Sequence, residues 1–110
     1  MFGLIKRRQR AEHLKLLRQI LEMAEELASF SDSVARAGID AGGGAASDAA
    51  IFRSTTIDLT PVLDELEAKE GEILPPEVVQ TLLTLWKDFR QRLDAIRAAE
   101  KAAHARLFGR

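Results

Sequence analysis

Residues able to bind a metal ion or move protons are few in this sequence. The histidines are His13 and His104, and cysteine is absent. A carboxylate metal site in a helical bundle places a glutamate three residues before a histidine, but Arg10 and Lys101 occupy those positions. Because cations there would repel a metal ion, we expect no metal site, and we interpret both histidines as surface or boundary residues. Without cysteine, a disulfide scaffold, a thiolate metal site and a cysteine nucleophile are all excluded.

Catalytic and cofactor-binding motifs are also missing from the sequence. No nucleophile elbow or Ser-His-Asp arrangement can be placed, and the glutamates stand at positions typical of the solvated face of a helix. The three glycines at 42–44 are not followed by the Lys-Ser/Thr of a phosphate-binding loop, and no predicted strand precedes them. We therefore predict that the protein is not an enzyme and has no cofactor.

Lysines and arginines are concentrated toward the two ends of the sequence. Residues 1–20 carry a formal charge of +5 and residues 86–110 carry +4, whereas residues 21–85 carry −10, which leaves a net charge of −1. An asymmetry of this kind informs about partners rather than about the fold. The predicted basic patch consists of Lys6, Arg7, Arg8, Arg10, Arg97, Lys101 and Arg106.

The first residues combine apolar with basic side chains, a combination that suits an anionic membrane surface. They are Phe2, Leu4, Ile5, Lys6, Arg7 and Arg8. The interpretation that we favour is that the apolar ones pack on Leu107 and Phe108 of the last helix, with membrane binding as the alternative. Nucleic acid is a disfavoured partner because the pI is about 6.1, the acidic middle would repel a polyanion, and no helix-turn-helix or zinc-finger pattern is present.

A cytoplasmic location is predicted from the same segment. Its apolar residues precede the basic cluster, which is the reverse of the order in a secretory signal. No stretch approaches the roughly 18 apolar residues that a membrane span requires. The lack of cysteine fits a reducing compartment.

Helices are the elements that must position these residues. Apolar side chains recur at alternating spacings of three and four over about 4–37 and 76–108, which predicts two long helices. Between them we predict a flexible glycine-rich loop at 38–47 and short helices at about 48–54 and 61–70. Thr60 and Pro61 are a typical start signal for the second short helix, as N-cap and first helical residue.

The sequence predicts one all-α domain over 1–110, an elongated antiparallel helical hairpin or bundle with two long helices and short helices in the connector. Long helices of matched length joined by a connector usually fold back on each other. In that arrangement residues 1–18 lie beside residues 87–110. The two basic segments then form one basic end, and the acidic middle forms the other.

Broad apolar stripes on both long helices predict an interaction surface. The candidate interface residues are Leu17, Leu21, Phe30, Leu82, Trp86, Phe89 and Leu93. These positions fit the core of one chain and the core of a homodimer equally well, and wide apolar faces on so small a chain favour a homo-oligomer. We predict a non-enzymatic helical interaction protein with coiled-coil packing, such as an adaptor, assembly factor or structural subunit. The alternative is a peripheral membrane or nucleic-acid-binding protein that uses the basic end.

Overall fold

Three long helices make up the described part of the chain. The computed structural model describes residues 2–36 and 44–108, which form α1 (Phe2–Arg36), α2 (Gly44–Ala68) and α3 (Pro76–Phe108). No strand occurs within these two ranges. The molecule measures 57 × 31 × 20 Å. The predicted all-α class and the elongated helical bundle are confirmed.

The middle of the chain differs from the prediction of two short helices at 48–54 and 61–70. A single helix, α2, runs through both ranges and contains Pro61 in its interior. Thr60 is therefore not an N-cap, and its hydroxyl donates to the carbonyl of Thr56 at 2.6 Å. Of the predicted loop at 38–47, residues 44–47 already belong to α2, and residues 38–43 lie outside the described residues.

Packing explains why α2 continues past its proline. Phe52 and Leu66 lie on either side of Pro61 in sequence, and both are buried in the core cluster that α1 dominates. Pro61 itself is exposed. Pro61 has no N–H to donate to the carbonyl of Ile57, four residues earlier. Ile57 lies on the solvated face of α2. Burial on both sides of the proline therefore outweighs the missing hydrogen bond.

The helix α2 is antiparallel to α1. Arg10, near the beginning of α1, donates a hydrogen bond to the carbonyl of Leu66 at the end of α2. Asp32, near the end of α1, forms an ion pair with Arg53 in the first half of α2. A helix of 25 residues spans about 37 Å, so the chain crosses most of the molecule before α3 begins.

The helix α3 runs in the same direction as α1. The backbone N–H of Leu74, just before α3, donates to Nδ1 of His13 at 3.1 Å. Much further along both helices, Arg97 reaches Glu26 at 3.2 Å. The prediction that residues 1–18 lie beside residues 87–110 is therefore wrong. That prediction assumed a connector of short elements. Instead α2 is a long helix that returns the chain to the end where α1 begins, so that α3 runs parallel to α1.

The core is built around α1, which packs on both other helices. Of the largest fully buried side chains, Leu17, Ile20 and Leu27 come from α1, and Phe89 comes from α3. In the described helices no Cα atom of α2 lies within 8 Å of one in α3. The rings of Phe52 and Phe89 bridge that gap edge to face, with centroids 5.3 Å apart. Thus α1 packs on both α2 and α3, whose backbones do not pack on each other.

A short turn joins α2 to α3 at the end where α1 begins. Gly71 has a φ of +81° there, a left-handed conformation that glycine adopts at little cost. The α3 helix then starts at Pro76, and the N–H of Val79 bonds to the carbonyl of Pro75 at 3.1 Å. Proline suits this position because the first helical N–H groups have no acceptor within the helix.

Candidate interaction surface

The predicted interface residues lie mainly inside the single chain. Four of them, Leu17, Leu82, Phe89 and Leu93, are buried in the core cluster. The remaining three, Leu21, Phe30 and Trp86, are half-buried. These four side chains therefore pack within one chain, Phe89 against Phe52 of α2 among others, and they are not available to a partner.

Trp86 lines the groove between α1 and α3. Its indole Nε1–H donates to Oε1 of Gln19 at 3.0 Å. The groove beside it has a volume of about 360 Å³ and is lined by apolar side chains that include Leu16, Val79 and Leu83. This hydrogen bond fixes the ring across the helix pair, so Trp86 stabilises the parallel arrangement of α1 and α3.

The predicted basic patch is divided between opposite ends of the molecule. Lys6, Arg7, Arg8 and Arg10 lie at the end where α1 begins, and Arg97, Lys101 and Arg106 lie on the last turns of α3. Because α1 and α3 are parallel, these two groups do not meet. The single basic end expected from the sequence is therefore not formed.

Arg10 has a structural role and is not part of an exposed cationic surface. Its guanidinium donates to the carbonyls of Leu66 and Glu67 at 2.5 and 3.3 Å. These carbonyls lie at the end of α2, where acceptors lack helical donors and the helix dipole is negative. Arg10 thus caps α2 from a neighbouring helix. Its Nε is buried without a hydrogen-bond partner, which adds to the cost of holding it there.

Acidic side chains accompany both basic groups. At the end where α1 begins, Lys6 and Arg7 line one cavity with Glu70. Near the middle of α1, Arg18 lies 3.5 Å from Glu67. Toward the other end, Arg97 lies 3.2 Å from Glu26. Both pairs are about half exposed, so each contributes little to stability. They do distribute charge of both signs over the two ends, and the polarised rod expected from the sequence is replaced by local compensation.

One exposed ion pair shifts the pKa of both its members. Lys69 Nζ donates to Oε1 of Glu65 at 2.7 Å. This hydrogen bond and the opposite charges lower the pKa of Glu65 and raise the pKa of Lys69. Because the folded-state pKa of Glu65 lies below its ordinary value, its stabilising effect is present at neutral pH. That effect is lost as the pH falls through the titration of the carboxylate.

The two histidines lie at opposite ends and do different things. His13 accepts the backbone N–H of Leu74 and so ties α1 to the turn before α3. The ring of His104 lies against that of Phe108, with centroids 4.8 Å apart. Across residues 2–36 and 44–108, no group of three or more His, Asp and Glu side chains converges as metal ligands would.

The last turns of α3 form the most open apolar surface of the described chain. Ile96 is the final half-buried residue, and every described side chain from 97 to 108 is exposed. Leu107 and Phe108 are 77% and 75% exposed. We call residues 97–108 the α3 extension. Leu107 lies eleven residues after Ile96 and on the same side of α3 as Leu93 and Ile96, although Glu100 occupies the next position of the core spacing. The placement of Leu107 on this side is visible in the sequence.

The beginning of α1 is a second exposed segment. Leu4 and Ile5 are 69% and 59% exposed, and the side chain of Phe2 lies outside the described part. The expected packing of this segment on Leu107 and Phe108 is wrong, because the two segments lie at opposite ends. None of the described helices is long and apolar enough to cross a membrane.

Comparison with known proteins returns no match. No protein-family model matches this chain, and no curated protein or solved structure matches it. The function is therefore inferred from the surface of the molecule.

Proposed function

We propose that this chain is a non-enzymatic helical interaction protein of the adaptor, assembly-factor or structural-subunit kind, acting in the cytoplasm. The α1–α2–α3 core serves as a rigid base, and the α3 extension presents the contact surface to a protein partner.

The observation that carries this proposal is the α3 extension itself. Exposed apolar side chains that continue a core stripe are typical of a surface that packs on another helix.

Site-specific photo-crosslinking in the cells that make the protein tests this function. A photoreactive residue replaces Leu107 in one variant and Lys87, an exposed α3 residue within the bundle, in the control. We expect a discrete crosslinked protein species from position 107 and none from position 87. Absence of any species specific to position 107 would contradict the proposed function.

Peripheral membrane binding is a second candidate, supported by the exposure of Leu4 and Ile5 beside Lys6 and Arg7. Apolar side chains would enter the interface while the basic ones contact anionic headgroups. Sedimentation with phosphatidylserine vesicles tests it. Binding that is lost in a Leu4→Ser/Ile5→Ser variant supports this candidate, whereas protein that stays in the supernatant at low salt removes it.

A further inference from the structure

We propose that His13 is a pH-sensitive tie between α1 and the turn that leads into α3. The tie holds while the imidazole ring is neutral and releases when the ring is protonated. This inference goes beyond the proposed interaction function, because it concerns how the fold itself responds to acid. It predicts that acid loosens the beginning of α3 while the rest of that helix stays packed on α1.

The hydrogen bond from Leu74 requires a neutral His13 ring. The backbone N–H of Leu74 can only donate, and its nitrogen lies 3.1 Å from Nδ1 of His13. Nδ1 must therefore present a lone pair, which the neutral ring does when its proton is on Nε2. A protonated ring carries hydrogen on both nitrogens and cannot accept. Protonation therefore breaks this contact between α1 and the turn.

The surroundings of the bond offer little to replace it. His13 and Leu74 are both half-buried. On the α3 side, the groove next to His13 is lined by apolar side chains, those of Val79, Leu83 and Trp86. After protonation, the N–H of Leu74 is left beside a cationic ring, and a polar group without a partner is costly when it is partly buried. Separation of the turn from α1 relieves both penalties.

Charged side chains of α1 oppose a positive charge on His13 or leave it unaffected. Arg10 stands three residues earlier, and side chains at this spacing are neighbours on a helix, where like charges repel. Glu12 and Lys15 line the same groove as His13, and their charges are opposite. The balance on α1 therefore does not favour the protonated ring.

Carboxylates of the other elements do not pair with the imidazole. At the end of α2, Glu67 is paired with Arg18, and Glu70 lines a different cavity, beside the cations that begin α1. Glu72 in the turn and Glu77 in the first turn of α3 are exposed. Across residues 2–36 and 44–108, no carboxylate oxygen lies within 4.0 Å of a histidine nitrogen.

The remainder of α3 is held by contacts that do not depend on His13. Leu82, Phe89 and Leu93 are buried in the core cluster, and Trp86 donates its hydrogen bond to Gln19. The release is therefore confined to the turn and the first residues of α3. Its consequence is that the apolar groove between α1 and α3 opens at the end where α3 begins.

Amide hydrogen exchange of the full chain, measured by NMR between about pH 8 and about pH 5.5, tests the proposal, because histidine changes its charge in this range. We expect the protection factor of the Leu74 amide, corrected for the intrinsic exchange rate, to fall about tenfold in acid. The protection of the buried Leu82 and Leu93 amides should stay constant. Because the folded chain needs a neutral ring, the unfolded chain binds more protons as the pH falls, and stability falls with it. The thermal midpoint should decrease by about 4 °C.

Variants of the two histidines separate the titration from the contact. His13→Asn provides an acceptor oxygen that does not titrate, so its Leu74 protection and thermal midpoint should be equal at both pH values. His13→Leu removes the acceptor and should show the low protection of the acid state at both pH values. The matched control is His104→Asn at the exposed histidine, which should retain the pH dependence of the native chain.

Equal Leu74 protection at both pH values in the native chain overturns the proposal. A pH dependence that persists in His13→Asn assigns the effect to another group and also overturns it, as does one that disappears in His104→Asn. If the Leu82 and Leu93 amides lose protection in parallel with Leu74, acid loosens the whole of α3, and the local release is refuted.

Discussion

Trp86 stabilises the helix pair through a polar contact as well as through its ring. Replacing it with phenylalanine keeps an aromatic side chain but removes the Nε1–H that bonds to Gln19. We expect Trp86→Phe to lower the free energy of unfolding by about 1 kcal/mol. Urea denaturation of Trp86→Phe, Gln19→Met and the double variant measures this contribution. The expected coupling is roughly 0.5–1.5 kcal/mol, and strictly additive effects would show that the hydrogen bond contributes nothing.

Arg10 was predicted to belong to a basic patch, but in the fold its guanidinium donates to two carbonyls of α2. Replacing it with methionine retains the aliphatic stem and removes both hydrogen bonds to the end of α2. We expect Arg10→Met to cost about 1.5–3 kcal/mol of stability, as hydrogen bonds from a charged donor usually do. Thermal and urea unfolding should show a far smaller effect for Arg8→Met, an exposed neighbour on the same helix. Equal effects of the two substitutions would refute the capping role.

The role of Arg10 was not predictable from the sequence because its acceptors lie 56 and 57 residues away. Arg10 stands four and seven residues before the buried Leu14 and Leu17, so its spacing places it on the core side of α1, unlike Arg8. The spacing does not say which backbone carbonyls it meets. The same limit applies to Gln19 and Trp86, which are 67 residues apart. Residue type and spacing predicted which side chains are charged or apolar, and the fold decided which of them meet.

At the scale of elements, substitution of Thr60 distinguishes a helix that starts at Pro61 from a continuous α2, because the two structures predict opposite changes in stability. If Thr60 were an N-cap, Thr60→Ala would cost about 1 kcal/mol. In the continuous α2, alanine is the better helix former, so Thr60→Ala is expected to be neutral or stabilising by up to about 0.7 kcal/mol. Pro61→Ala should add about 1–3 kcal/mol by restoring a helical N–H. Thermal unfolding measures both signs, and a destabilised Thr60→Ala would favour two helices.

The elements that the sequence predicts well are those with long, uninterrupted periodicity. The last helix begins and ends at the predicted residues, 76 and 108, and the first runs over 2–36 where 4–37 was expected. The prediction is wrong over α2 because local signals such as the Thr-Pro start and the run of β-branched residues at 55–57 were weighed without tertiary contacts. Burial of Phe52 and Leu66 against α1 supplies the stabilisation that those local signals cannot report.

At the scale of the whole molecule, the number of crossings determines which charges meet. Two crossings would bring both basic segments to one end, and the three crossings seen here place them at opposite ends. The net charge of −1 therefore results from basic and acidic side chains that lie near each other, as in the ion pairs of Arg18 with Glu67 and of Arg97 with Glu26. The wrong prediction for the connector therefore led to a wrong prediction for the charge distribution, with one basic and one acidic end in place of charges of both signs at both ends.

Distances between spin labels test this arrangement directly. The chain has no native cysteine, so labels attach at the two introduced cysteines alone. Labels at Arg8→Cys and Lys101→Cys should lie about 35 Å apart, from the rise of α1 between Arg8 and Glu26 and of α3 between Arg97 and Lys101. The two-crossing hairpin would place them at roughly 10–15 Å. Labels at Arg7→Cys and Glu70→Cys, whose native residues line one cavity, should give a short distance in the same experiment. Measured with excess unlabelled protein, a short distance between positions 8 and 101 would refute the parallel packing of α1 and α3.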